Sequence, residues 1–150
     1  SIVERQVRDF EGSPGACGEG DFERILIDAP CSGMGVLRRH PEAKWRLSLL
    51  EIDRHARRQQ RLLAATAPLL KPGGVMVYAV CSTEPEETSA VVDRFLAEHS
   101  AFQLEPVFSL LPAGAGEMVD AAGCFRTRVD KHGVDGFFAA RLRHRADSRA

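Results

Sequence analysis

Arg24-Ile25-Leu26-Ile27-Asp28-Ala29-Pro30-Cys31-Ser32-Gly33-Met34-Gly35 is the stretch whose reading decides the fold. Its apolar run, Ile25 to Ile27, predicts a buried strand. The run stops at a carboxylate, a rigid proline and a thiol, residues that pack poorly and serve chemistry well. Open α/β sheets place their ligand crevices at the carboxyl ends of such strands. A plainer alternative is structural: Asp28 caps the next segment and Cys31 is a small buried hydrophobe.

A second stretch has the same layout. Val75 to Val80 reads as a buried strand, launched by the turn Lys71-Pro72-Gly73-Gly74 and ending in Cys81. Between the two strands a helix is predicted from about Leu49 to Leu70. Leu62, Leu63, Thr66, Ala67 and Leu70 fall at helical spacing, and Arg54, Arg57, Arg58 and Arg61 mark the wet side. Pro68 makes the last turn irregular or stops the helix sooner. Strand, helix and strand predict a parallel pair with both carboxyl ends on one edge. Cys31 and Cys81 then face one small-molecule or base-sized crevice beside Asp28. Two thiols and a carboxylate suit covalent catalysis: one thiolate attacks, Asp28 holds and polarises the substrate, and the other thiol assists proton removal. Spacing does not rank the two thiols, and inert cysteines at buried strand ends are the competing reading.

Outward from this pair, Ile2 to Val7 alternates like a short strand ending near Asp9, and Gly12 to Gly20 reads as a loop. Arg38, Arg39 and Lys44, with Arg46, form a local basic cluster around Pro41. It is either a solvated face or a set of phosphate contacts. Thr83 and Glu86 stand at capping-box spacing, with Pro85 suited to a first helical turn. Val91, Val92, Phe95 and Leu96 give that helix its buried face, up to about His99. Short strands follow around Phe102–Leu104, Cys124–Thr127 and Phe137–Leu142, the last fed by a turn at Asp135-Gly136. Arg141 to Ala150 reads as a basic, frayed tail.

At 150 residues the chain has the size of one domain. With 20 Lys+Arg against 21 Asp+Glu, no global field advertises a polyanionic partner, so any RNA contact must use local patches. No apolar run approaches a membrane span, and no signal-peptide layout is present. Cys17, Cys31, Cys81 and Cys124 form no C-x-x-C pair, which argues against a zinc ribbon, a redox pair or a disulfide scaffold. No metal site is expected. The chain reads as cytoplasmic with reduced thiols, and its start at Ser1 hints at an excised piece. A thiol hydrolase fits poorly, because none of the histidines sits in a nucleophile motif.

Asp28-Ala29-Pro30-Cys31-Ser32-Gly33 and Gly35-Val36-Leu37-Arg38-Arg39-His40-Pro41 resemble the signature of the RNA cytosine-5 methyltransferases of the NOL1/NOP2/Sun (Fmu) family. Val77-Tyr78-Ala79-Val80-Cys81-Ser82, followed by Glu84-Pro85-Glu86-Glu87, is similar to that family's second cysteine motif. Asp135-Gly136-Phe137-Phe138-Ala139-Ala140 resembles its terminal strand motif. The resemblance covers about Val3 to Leu142 and is nearest to the bacterial Sun-type branch acting on ribosomal RNA. It implies an α/β chain, the C-terminal portion of a Rossmann-like S-adenosylmethionine-dependent methyltransferase fold, with the first strands and cofactor loop missing. Residues 1–150 are then one partial catalytic domain, with 141–150 as tail.

The resemblance also implies roles. Cys81 is the nucleophile toward carbon 6 of a cytosine in RNA, Cys31 assists release, and Asp28 hydrogen-bonds the cytosine edge. Pro30, Ser32 and Gly33 shape the pocket, with Arg38, Arg39 and Lys44 as phosphate contacts. Asp9, Asp28 and Pro30 fall on the S-adenosylmethionine side. The target base must be single-stranded or flipped out. Departures are Val80 where relatives carry Thr, Val129 and Asp130 where they often carry Pro and His, and the lack of any G-x-G-x-x-G loop.

Without the family's first strand, the strand bearing Asp28 becomes an unpaired edge. The expectation is a homodimer through that edge, a rearranged N-terminal cover, or a need for the missing half. Two functional readings follow: the catalytic half of a methyltransferase, inactive alone, or a non-catalytic module that binds RNA or a protein through the retained crevice.

Overall fold

The computed structural model describes residues 18–45 and 47–146. Strand-like Ile2–Val7, Asp9, most of the Gly12–Gly20 loop, Cys17 and Arg46 lie outside the described residues. The decisive stretch forms β1 (Phe22–Asp28), and the helix that follows is α1 (Leu49–Thr66). Ser48 caps α1, its hydroxyl accepting from the Glu51 N–H at 3.2 Å. The helix ends at Thr66 and gives way to a 3-10 turn, Ala67–Leu69, as Pro68 at its second position requires.

The second strand, β2 (Leu70–Val80), is longer than expected because it takes in Lys71-Pro72-Gly73-Gly74. That segment is an outward excursion within the strand. Between Phe22↔Leu70 and Arg24↔Val75 the β1–β2 register slips, and regular parallel pairing then runs to Asp28↔Ala79. Gly73, at φ +79°, supplies the left-handed residue the excursion needs.

After β2 come α2 (Ser89–Glu98), β3 (Phe102–Leu104), β4 (Phe125–Thr127), the short α3 (Val129–His132) and β5 (Phe137–His144). The sheet order is β1-β2-β5-β3, with β4 also paired to β5. Among the described residues only the β1–β2 pair is parallel; β5 runs antiparallel to β2, β3 and β4. Arg141 to His144, expected in a frayed tail, are instead part of β5. Pairing with Val75–Val77 on one side and Phe102–Leu104 on the other holds them.

The expected capping box is not built. Pro85–Glu87 forms a 3-10 turn without a side-chain cap, α2 starts only at Ser89, and Thr83 contacts Glu84 rather than capping a helix. The turn points its last residue, Glu87, into the interior, where it is 0% exposed.

Leu63 of α1 and Val91, Val92 and Phe95 of α2 pack on Met76, Tyr78, Val80, Phe138, Ala140 and Leu142 of the sheet. Burial of each larger side chain contributes about 1.5–3 kcal/mol. Val80, the departure from the resembled motif, belongs to this core. A hydroxyl there would have to find a buried partner.

Among the described residues β1 is the outer strand, paired on one side, and its Leu26 is 71% exposed. Such an edge favours self-pairing. The expected outcome is concentration-dependent association by light scattering, reduced toward the monomer by Leu26→Lys.

Candidate active site

The site lies where β1 and β2 end side by side. Beyond the last paired residues, the Ala29 N–H still reaches the Ala79 carbonyl at 2.9 Å, so the strands stay together until just before the two cysteines. Cys31 Sγ and Cys81 Sγ are 3.2 Å apart, and either can donate to the other. Both are half-buried free thiols. The juxtaposition expected from two strand ends fifty residues apart is therefore realised.

A serine follows each cysteine, and both serines donate to one carboxylate, that of Glu87. Ser82 Oγ reaches Glu87 Oε2 at 2.6 Å, and the Ser32 hydroxyl donates to the same oxygen. The Ser32 N–H donates to Oε1 at 2.8 Å. Gln59 of α1, fully buried, donates from Nε2 to Oε1 at 3.3 Å and to the Pro30 carbonyl at 3.0 Å. The Tyr78 hydroxyl donates to the Glu87 backbone carbonyl at 2.6 Å.

Backbone bonds lace the same region. Gly35 N–H donates to the Cys81 carbonyl at 3.0 Å, and Gly136 N–H donates to the Gly35 carbonyl at 2.8 Å. A Cβ on Gly35 would lie 2.0 Å from the Gly136 oxygen, so the approach requires glycine. Gly33, at φ +74°, turns the chain into the 3-10 turn Met34–Val36.

Burial and the hydrogen bond with Cys81 push the Cys31 thiol from its ordinary 9.0 up to about 12, with the negative charge of Glu87 adding to the effect. Burial likewise raises the Cys124 thiol to about 11. Cys124 lies in the core cluster and has the properties of an inert structural cysteine.

The remaining predicted residues are placed as follows. Asp28 is exposed at the end of β1, and Pro30 is half-buried. Arg38 and Arg39 both ion-pair with Asp135, and Arg38 Nη1 also donates to the Gly133 carbonyl at 3.2 Å. These guanidiniums hold the Asp135 carboxyl below the usual carboxylate range. The two arginines thus fasten the loop after Cys31 to the turn before β5 while staying 43% and 65% exposed. Lys44, in the 3-10 turn Pro41–Trp45, lies 5.9 Å from the ring of Trp45, itself 86% exposed.

Sequence reasoning did not single out Glu87, Gln59, Arg126 or Arg128. The two arginines line a cleft of about 520 Å³ with Met34, Gly35, Thr83, Val129 and Asp130, beside the lacing at Cys81. Arg126 stacks over Phe138 at 4.9 Å, and Arg128 pairs with Asp130 at 2.6 Å. Arg126 in β4 and Arg128 just after it flank buried Thr127 in extended backbone, a spacing of two that is the sequence signal for side chains sharing a face.

Residues 2–143 match the family model described as 16S rRNA methyltransferase RsmB/F. The chain is 39% identical over 142 residues to the ribosomal RNA small subunit methyltransferase B of Erwinia tasmaniensis, covering 93% of this chain and 31% of that protein. Among solved structures, PH0851 superposes with a TM-score of 0.82 at 34% identity, over 95% of this chain and 31% of the other. NSun6 from Pyrococcus horikoshii, determined with SFG, gives 0.73 at 30% identity, over 93% and 34%. The chain thus spans about a third of the length of the relatives it matches.

Gly35→Ala forces apart two backbone segments and is expected to lower stability by about 1–3 kcal/mol in urea unfolding. The raised thiols make a second prediction. Cys31 and Cys124 ionise less readily folded than unfolded, so their contribution is present below pH 9.0 and is lost as pH rises through about 11 and 12. Urea midpoints measured from about pH 8 to 11 should fall, and the Cys31→Ala and Cys124→Ala variants should each show a shallower decline.

Proposed function

Because this chain belongs to the RsmB/F family of 16S rRNA methyltransferases, we propose that it carries the base- and thiol-handling side of methyl transfer to carbon 5 of a cytosine in ribosomal RNA. The observation that supports this reading is the 3.2 Å separation of Cys31 and Cys81 at the carboxyl ends of two adjacent parallel strands. Two thiols so close, one of them three residues past the exposed Asp28 that ends β1, form a constellation for covalent attack on a ring.

In this mechanism the Cys81 thiolate adds to carbon 6 of the cytosine, forming a carbon–sulfur bond and moving an electron pair onto carbon 5. Asp28, exposed at the strand end, hydrogen-bonds the cytosine edge and steadies the ring as it gains charge. S-adenosylmethionine supplies the methyl group. The carbon 5 proton then passes to solvent water, its bonding pair restores the carbon 5–carbon 6 double bond, and the carbon–sulfur bond breaks with its pair returning to the Cys81 sulfur. Cys31, held as a thiol 3.2 Å away, donates a hydrogen bond to the departing Cys81 sulfur. The base must be unstacked to enter. Arg126 and Arg128 in the adjoining cleft, with Arg38, Arg39 and Lys44 on the loop after Cys31, offer cations to the flanking phosphates.

The described residues fit one border of a cofactor pocket and no more. They supply Asp28 and Pro30 at the end of β1, and among them no glycine-rich loop follows a strand to hold the amino-acid end of S-adenosylmethionine. NSun6, whose structure contains SFG, an S-adenosylmethionine analogue, matches this chain over 34% of its own length. The chain alone is accordingly proposed to be inactive in methyl transfer.

The test joins this chain to the preceding portion its relatives carry and incubates the protein with small-subunit ribosomal RNA and S-adenosylmethionine. Cys31→Ala should accumulate a protein–RNA adduct on denaturing gels, and Cys81→Ala should form none. An adduct that persists in Cys81→Ala would overturn the assignment of the nucleophile.

A further inference from the structure

The mechanism above uses the two thiols and Asp28 but leaves a buried carboxylate unexplained. We propose that Glu87 is a positioning residue for the thiol pair: by taking the serine after each cysteine onto one carboxylate, it fixes Cys31 against Cys81 and sets a negative charge beside Cys31. This rests on the reading of Cys31 and Cys81 as the reacting pair.

The geometry carries the inference. Oε2 accepts from the hydroxyls of Ser32 and Ser82, and Oε1 accepts from the Ser32 N–H at 2.8 Å and Gln59 Nε2 at 3.3 Å. Ser32 and Ser82 belong to different motifs, each adjoining one sulfur. Any shift of either loop therefore moves a hydrogen bond on the same side chain. Glu87 cannot swing away, because it is 0% exposed and its own carbonyl is held by Tyr78 at 2.6 Å. A space-filling role needs no charge, and a buried carboxylate is costly unless its oxygens are occupied by donors. Placed here, the charge adds to burial and to the contact with Cys81 in opposing a thiolate on Cys31.

Two variants separate charge from reach. Glu87→Gln keeps the length, removes the charge and leaves one oxygen to accept in place of two. Glu87→Asp keeps the charge but is one methylene short of both serines. In the full chain, iodoacetamide labelling followed by peptide mass spectrometry reads the reactivity of Cys31. Diamide, which takes two electrons and two protons from the pair as it is reduced, reads the proximity of Cys31 and Cys81 as disulfide yield. Glu87→Gln should label Cys31 about three- to tenfold faster near pH 8.5. Glu87→Asp should label Cys31 at close to the parental rate and lose most of the disulfide yield.

Folded variants, by circular dichroism, that match the parent in both assays overturn the proposal. If neither variant folds, Ser32→Ala and Ser82→Ala each remove one donor and spare the carboxylate. Slower cross-linking in either supports the clamp, and parental cross-linking in both overturns it. No readout uses RNA or S-adenosylmethionine. A failed adduct assay with these thiol results intact would therefore remove the reaction assignment and leave the clamp standing.

Discussion

The carboxylate of Glu87 is the constraint to which the rest of the site answers. An ionisable side chain with no solvent exposure must find donors for its oxygens or destabilise the fold by several kcal/mol. Here the donors come from three places: the loop after β1, the loop after β2, and the buried middle of α1. The requirement dictates where α1 packs, because Gln59 must reach both Glu87 and the Pro30 carbonyl. It also explains a helix start that ignores its own capping signal, since the 3-10 turn Pro85–Glu87 is what delivers the carboxylate inward.

The sheet adds a second layer of control. Parallel pairing of β1 and β2 brings the two cysteine loops to one end, but pairing alone leaves them free to splay. The bonds from Gly35 to Cys81 and from Gly136 to Gly35 close that gap from outside, as the Glu87 hydrogen bonds close it from inside. Asp135 contributes electrostatically, pairing with both Arg38 and Arg39. Two members of a basic cluster that reads as either a solvated face or phosphate contacts are thus also a structural fastening.

Much of this was legible in the residues. The apolar runs before Cys31 and Cys81, with helical spacing between them, foretold the parallel pair and the meeting of the sulfurs. Pro68 correctly shortened α1, and Asp135-Gly136 correctly preceded the last strand. What escaped is instructive. Glu87 lay inside a quoted motif, yet capping-box spacing drew attention to Glu86, because local rules say nothing about a carboxylate two of whose partners, Gln59 and Ser32, are 28 and 55 residues away. Gln59 stands seven residues after Ile52 and four before Leu63, on the buried stripe of α1, but its polar side chain hid that position in an apolar-spacing reading. Arg141 and Arg143 looked like tail; Glu105, which takes both as partners, and the strands on either side hold them in the sheet.

The lacing at Gly136 has a consequence for how the site comes into being. Gly136 immediately precedes β5, the strand that pairs with β2, β3 and β4. A nascent chain that has emerged only as far as α2 already contains both cysteines, but lacks the turn that locks Gly35 and the strand that holds β2 in place. Contacts spanning about a hundred residues form late, since their loop-closure entropy must be met before they contribute. During synthesis, the thiol pair therefore reaches its working separation among the last events, after the residues that compose it have long been available to solvent.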